Sequence, residues 1–408
     1  MTLAISLLAG VAIGALAIKN RLWAVALVLF LLPTYLVRFS IIGIPMTMLE
    51  IMVLVLFVVY LGQEGLKGFA HLKKIHWLMF FILLAAGVFG LLTTPDLRAG
   101  AGVFKAYLVE PMLFFIVFTN TVKTMKDVRL VVWALGLSAF VVAIVAAMQF
   151  VTGWGIPDPW HDFPDRRATA FFGFPNAIGL YIAPILTLFV GLLLHVKFFT
   201  RRNVLFVLSL ILFLVFALVV ARVEGGFVAA AAGIFVMLLF TKWRWWAIGA
   251  VVVGGIALFA YEPTREILLF QDVSGDVRLA LWQGTWNLLK SQPVFGAGLG
   301  AFPIVYDVYR LPSHVELLQY PHNIFLNFWV ELGVVGLVWL VATLVAFFTK
   351  AVRSLKRTEG YSIVLIGVMV SVIVYGLVDV LYFKNDLSIL FWVWLGLLCV
   401  TTKAKSER

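Results

Sequence analysis

Apolar residues run almost without interruption over 2–18, 22–37, 44–62, 76–93, 103–120, 128–151, 171–195, 203–220, 225–240, 244–261, 322–349, 361–380 and 386–402. A helix needs roughly 20 apolar residues to cross the hydrocarbon core. These runs lack the polar–apolar alternation of a membrane strand. In lipid only helices and closed barrels satisfy the backbone internally. The pattern therefore predicts an all-α fold, a polytopic transmembrane helical bundle of 12–13 spans. The first two runs are short, which makes twelve the lower count. Three regions follow: spans one to ten over 1–261, a long polar-containing insertion over 262–321, and the last three spans over 322–408.

Composition sharpens this picture. Of 408 residues, 63% are hydrophobic and only 12% charged, against about 25% charged in a soluble domain. That excludes a soluble enzyme and a disordered chain. The net charge of +11 points to basic cytoplasmic connectors rather than to nucleic acid, because Lys and Arg accumulate on that side. With Lys350–Arg357 placed inside, alternation puts most cations inside and the C-terminus in the cytoplasm. The N-terminus is then outside if all thirteen spans are real. Acidic residues such as Asp165, Glu224, Asp276 and Glu316 fall outside, so the 262–321 insertion is expected to be an extracytoplasmic loop. Long loops of this kind are commonly functional.

Within the insertion, Asp276-Val-Arg-Leu-Ala-Leu-Trp-Gln-Gly-Thr-Trp-Asn-Leu-Leu-Lys290 predicts an amphipathic helix, capped by Ser274 or Asp276 and ended before Pro293. Arg278, Trp282, Trp286 and Lys290 recur every four residues and share a face. The plain alternative is a helix lying in the headgroup layer. Gly296, Gly298 and Gly300 follow with no preceding strand, so they read as a turn for close backbone packing rather than a phosphate cradle.

Candidate chemistry clusters at the outer ends of the spans. His322 and Asn323 stand where the chain re-enters the membrane, and His322 is either a helix-start residue or a base. Glu331 lies two to three turns deeper, where an acid is costly unless paired. Arg222 and Glu224 sit in a very short connector; a planar guanidinium there suits a phosphate, or simply snorkels. Arg167 precedes Pro175-Asn176, among aromatics able to stack on sugars or to sit in the headgroup layer. Lys105 and Glu110 open another span. No His/Cys/Asp grouping has metal spacing.

Taken in order, several motifs resemble the O-antigen ligase and polymerase family. They are Arg167…Pro175-Asn176, Arg222-Val-Glu-Gly-Gly, Arg278-x-x-x-Trp282, Pro293-x-x-Gly-x-Gly, His322-Asn323-x-Phe-Leu and Glu331-Leu-Gly-x-x-Gly336. Ala221 stands where the family commonly has Ser. The resemblance covers 167–340. It implies a metal-independent, cofactor-free, inverting glycosyltransferase of the inner membrane, with its active site facing the periplasm or cell exterior. The donor would be a polyprenyl-diphosphate-linked glycan, and the acceptor a glycolipid, a second glycan or a protein hydroxyl. By the same resemblance Arg167, Arg222 and Arg278 would hold the diphosphate and His322 would be the catalytic base. Asn176, Asn323, Glu331, Trp282, Glu224 and Lys105 would support them. Membrane lipids are expected partners and nucleic acid is not. The competing class is an anionic-lipid transporter, which would need polar groups continuing to the cytoplasmic half.

Overall fold

The computed structural model describes residues 1–41, 43–162, 164–312 and 317–403; Glu316 and the cationic tail after Lys403 lie outside them. The helices are α1 Thr2–Phe30, α2 Met48–Glu64, α3 Lys74–Thr93, α4 Leu97–Val103, α5 Glu110–Thr121, α6 Met125–Thr152, α7 Asn176–His195 and α8 Arg201–Ala221. They continue with α9 Glu224–Leu238, α10 Arg244–Ala260, α11 Glu262–Leu268, α12 Val273–Ser291, α13 Phe302–Tyr306, α14 Ile324–Arg353, α15 Tyr361–Gly376 and α16 Asn385–Lys403. Strands β1 Arg38–Ile41 and β2 Ile44–Thr47 pair antiparallel, Arg38 opposite Thr47. A π-helical stretch, Phe104–Val109, joins α4 to α5, just before Pro111, which has no N–H to donate.

Among the described residues nine helices are long and apolar enough to cross a membrane, α4–α5 counting as one. Further apolar helices are α10, which bends by 104° into α11–α12, and the shorter α9 and α15. The first two expected spans are the two halves of α1, which breaks at Asn20 (φ −155°, ψ 94°). Its halves run along α2 in opposite directions. Gln63 donates to the carbonyls of Ala17 and Ile18, and Gly10 lies on Ile51 and Val55. Arg21 then pairs with Glu64 at 2.8 Å, and Val37 accepts from Met48 at the other end of α2. The bundle is thus a set of helices alternating in direction, as the sequence predicts. α7 and α16, 83% and 89% buried over their apolar windows, form its centre; α1 and α3, at 28%, are peripheral.

One end of the bundle carries Lys19 beside the α1 break, Lys73 and Lys123 in connectors, and Lys350 in the last turn of α14. The other carries β1–β2, the segments 153–175 and 377–384, and the 261–323 insertion. The insertion has its own small core. Leu281, Leu288 and Leu289 of α12 bury against Phe302, Tyr306 and Val330, so the apolar face of α12 rests on α13 and α14. The N-cap of α12 is Asp272, two residues before the nearer expected one; its carboxylate accepts from the amides of Ser274 and Gly275.

The glycine loop and α14 complete one another. α14 breaks at Gly333 (φ +66°), which turns the Val334 amide onto the Val294 carbonyl at 2.9 Å. The Val330 carbonyl, deprived of its partner one turn on, accepts instead from Ala297 and Gly298 at 2.8 and 3.2 Å. Backbone groups freed inside a membrane protein must be satisfied by protein. Gly298 (φ +93°) also passes so close to Gly90 and Thr94 that a Cβ would stand 2.7 Å from the Thr94 amide.

Candidate functional site

His322 is the last turn residue before α14 and sits in the left-handed region at φ +46°. Asn323 caps the helix, accepting from the amides of Phe325 and Leu326, while its amide nitrogen donates to the Leu377 carbonyl at 3.1 Å. That bond ties the start of α14 to the 377–384 connector. The connector delivers Asp379, whose Oδ1 stands 3.3 Å from His322 Nδ1. The carboxylate side chain is 1% exposed and the imidazole 19%. The contact lies off the line of a straight hydrogen bond, no described group hydrogen-bonds Nδ1, and the pair is ionic only when the imidazole is protonated. Asp379 Oδ1 also accepts from the Val380 amide at 2.8 Å.

Burial alone would raise the Asp379 carboxyl; His322 and Lys384 beside it, with the Val380 amide, hold it below its ordinary value. Burial depresses the Lys384 ammonium, which lies 4.3 Å over the Phe174 ring. Burial, and then Asp379, push the Tyr320 phenol well up. Its ring lies 4.7 Å from that of His322.

Arg278 reaches the same connector. Its Nε donates to the Val378 carbonyl at 3.3 Å and its Nη1 to Ser274 Oγ at 2.6 Å. Trp282, one turn on, donates to the Pro321 carbonyl at 2.9 Å and so holds the residue before His322. The face shared by Arg278, Trp282 and Trp286 therefore meets the His322 turn and, through Trp286 against Trp329, the first turns of α14.

Arg167 and Arg222 form a neighbouring group. Arg167 donates to the carbonyls of Ala221 and Arg222, both at 3.0 Å, and to Asn176 Oδ1 at 3.5 Å, with Trp160 stacked 4.9 Å away. Arg222 (φ +49°) is half exposed and pairs with Asp165 at 3.1 Å. Glu224 opens α9 two residues later. Tyr375 links the two groups, donating to the Asn176 carbonyl at 3.1 Å four residues before Asp379.

Glu331 makes no ion pair among the described residues. Its carboxylate accepts from the Gly300 amide at 2.6 Å. Together with Asn327, one turn earlier on the same face, it lines a cavity of about 620 Å³ walled by Tyr35, Phe172, Tyr320 and Lys384. Asn327 is 1% exposed, and neither its amide nitrogen nor its oxygen has a partner. Lys105 lies elsewhere: it pairs with Glu50 at 2.8 Å, and Glu50 accepts from Asn385 and caps α2 with Thr47. Among the described residues no three His, Cys, Asp or Glu side chains converge.

Sequence reading missed Asp379, Tyr320, Asn327 and Lys384. The available signal was an acid, a lysine and a second acid, Asp379, Lys384 and Asp386, close together where two apolar runs meet.

A family model described as O-antigen ligase matches residues 208–341. The match bears out the resemblance and takes in Arg222, Glu224, Arg278, Trp282, His322, Asn323 and Glu331. Arg167, Asn176 and the Asp379 connector lie outside it. No curated protein matches the chain.

Proposed function

We propose that this multi-pass membrane protein, O-antigen ligase-like over residues 208–341, transfers a glycan from a polyprenyl diphosphate to an acceptor hydroxyl at the membrane face bearing the 261–323 insertion. That face is the periplasmic or external one, with the C-terminus cytoplasmic. The family match supports a ligase- or polymerase-like membrane glycosyltransferase. The observation that carries the mechanism is the pairing of His322 Nδ1 with buried Asp379 at 3.3 Å. An imidazole oriented by a carboxylate at one nitrogen presents the other as a base.

In this reading the acceptor oxygen attacks the anomeric carbon as its proton passes to His322 Nε2. The bond from that carbon to the diphosphate oxygen breaks, the diphosphate leaves with the electron pair, and the configuration inverts. Charge develops on the diphosphate, and Arg278, bonded to the Val378 carbonyl next to Asp379, is the arginine tied to this connector. Arg222 must exchange its exposed pair with Asp165, which is cheap because such pairs are worth about 0–1 kcal/mol. Arg167, committed to the carbonyls of Ala221 and Arg222, orients Arg222. The cavity beside Tyr320 suits a sugar: Asn327 and Glu331 offer a donor and two acceptors between aromatic walls.

Purified protein incubated with a lipid-diphosphate glycan and separate glycolipid, glycan and protein acceptors tests the reading. Product mass identifies the acceptor. Donor bound but never consumed with any acceptor would favour the anionic-lipid carrier.

A further inference from the structure

A groove at the opposite end of the bundle has no part in this chemistry. α3 and α14 pack against each other, Trp339 donating to the Met79 carbonyl at 2.9 Å. They diverge to leave two adjoining cavities of about 270 and 240 Å³. Ile75, Met79, Thr343 and Ala346 line both, so the two are one groove. Its far part is walled by Val334, Val335 and Val338 and is almost wholly apolar. Its near part ends among Lys73, Lys350 and Lys403.

The chemistry of this end is one-sided. Lys350 Nζ meets only Cys399 Sγ, at 3.1 Å, and none of the three lysines is in an ion pair among the described residues. The lysines acting on His76, which lines the same cavity, are Lys350, Lys403 and Lys73. A second cavity beside Lys403 adds Lys123 and His71. From Lys350 to Val334 the groove follows α14 for about 24 Å at ~1.5 Å per residue. That exceeds one leaflet, about half of a ~30 Å hydrocarbon core. Basic pockets between helices at a membrane surface bind anionic headgroups.

We propose that this groove seats an anionic phospholipid, its phosphate among Lys73, Lys350 and Lys403 and an acyl chain between α3 and α14. The chain would run toward Val334, next to the Gly333 break that holds the glycine loop.

Native mass spectrometry of the full-length protein in detergent, titrated with phosphatidylglycerol or phosphatidylcholine, tests this. One phosphatidylglycerol should bind ahead of all others and ahead of any phosphatidylcholine. Lys73→Gln/Lys350→Gln/Lys403→Gln should weaken that first adduct roughly a hundredfold, given the usual contribution of each surface lysine. Ala342→Trp/Ala346→Trp leaves every charge in place but fills the groove, and should remove the same adduct with the melting temperature of the unliganded protein kept. It carries the test should the lysine variant fail to fold. Equal retention of the two lipids, or a first adduct unchanged in the tryptophan variant, would overturn the proposal.

Discussion

Asp379 Oδ1 stands 3.3 Å from His322 Nδ1, although the two residues lie in different connectors, one before α14 and one after α15. Asn323, bonded to Leu377, and Arg278, bonded to Val378, hold those connectors together. Asp379→Asn keeps the shape and removes the charge. Transfer should fall about 10²-fold or more, the usual worth of a positioned acid–base group, while donor Kd stays within a few-fold. An unchanged rate would make Asp379 a purely structural acid.

The same carboxyl sets a pH dependence of stability. Its folded pKa lies below its ordinary value, so its contribution is complete above the unfolded value of about 3.9 and is lost as pH falls through the folded one. Wild type should melt higher than Asp379→Asn at neutral pH, and the gap should close as pH falls below about 4. A gap that persisted undiminished below that pH would contradict the pairing.

Much of this was legible beforehand. The thirteen apolar runs anticipate the helices because lipid leaves the backbone no other way to be satisfied. The motif residues gather at one end of the bundle, that of the 261–323 insertion. Asp379 was not legible, because the apolar run read over 361–380 continues past the end of α15 at Gly376 and hides the connector. The Asn20 break was legible: it falls between the runs 2–18 and 22–37, and the contacts of Ala17, Ile18 and Arg21 with the far end of α2 mark the reversal there. Strand β2 was absorbed into the run 44–62, and β1 fell in the short gap before it.

Arg278→Lys should lose transfer with normal membrane insertion. One ammonium cannot reproduce a planar fork bonding Val378 and Ser274 while facing an anion. A loss of roughly 10–100-fold in donor affinity is expected for hydrogen bonds to a charged group, read by binding of a labelled lipid-diphosphate glycan. Arg222→Lys should also weaken donor binding. Wild-type affinity in both would leave the arginines as interface anchors.

Gly298→Ala tests the loop. The left-handed φ and the nearby Thr94 amide should together cost about 2–4 kcal/mol, read as a lower melting temperature and a smaller folded fraction. Wild-type melting would mean that the loop does not brace the broken α14.

Orientation is tested at Val308, which is 85% exposed in the insertion. Val308→Cys in a Cys399→Ser background should react with an impermeant thiol reagent applied from outside the inner membrane. Labelling only after permeabilisation would reverse the topology.

The most direct test of the account is His322→Ala, assayed for donor binding and transfer on the same preparation. The account predicts a transfer rate lower by about 10²–10⁴-fold with lipid-diphosphate glycan still bound at near wild-type affinity. Transfer at the wild-type rate would contradict it, and so would a loss of donor binding in step with the loss of transfer.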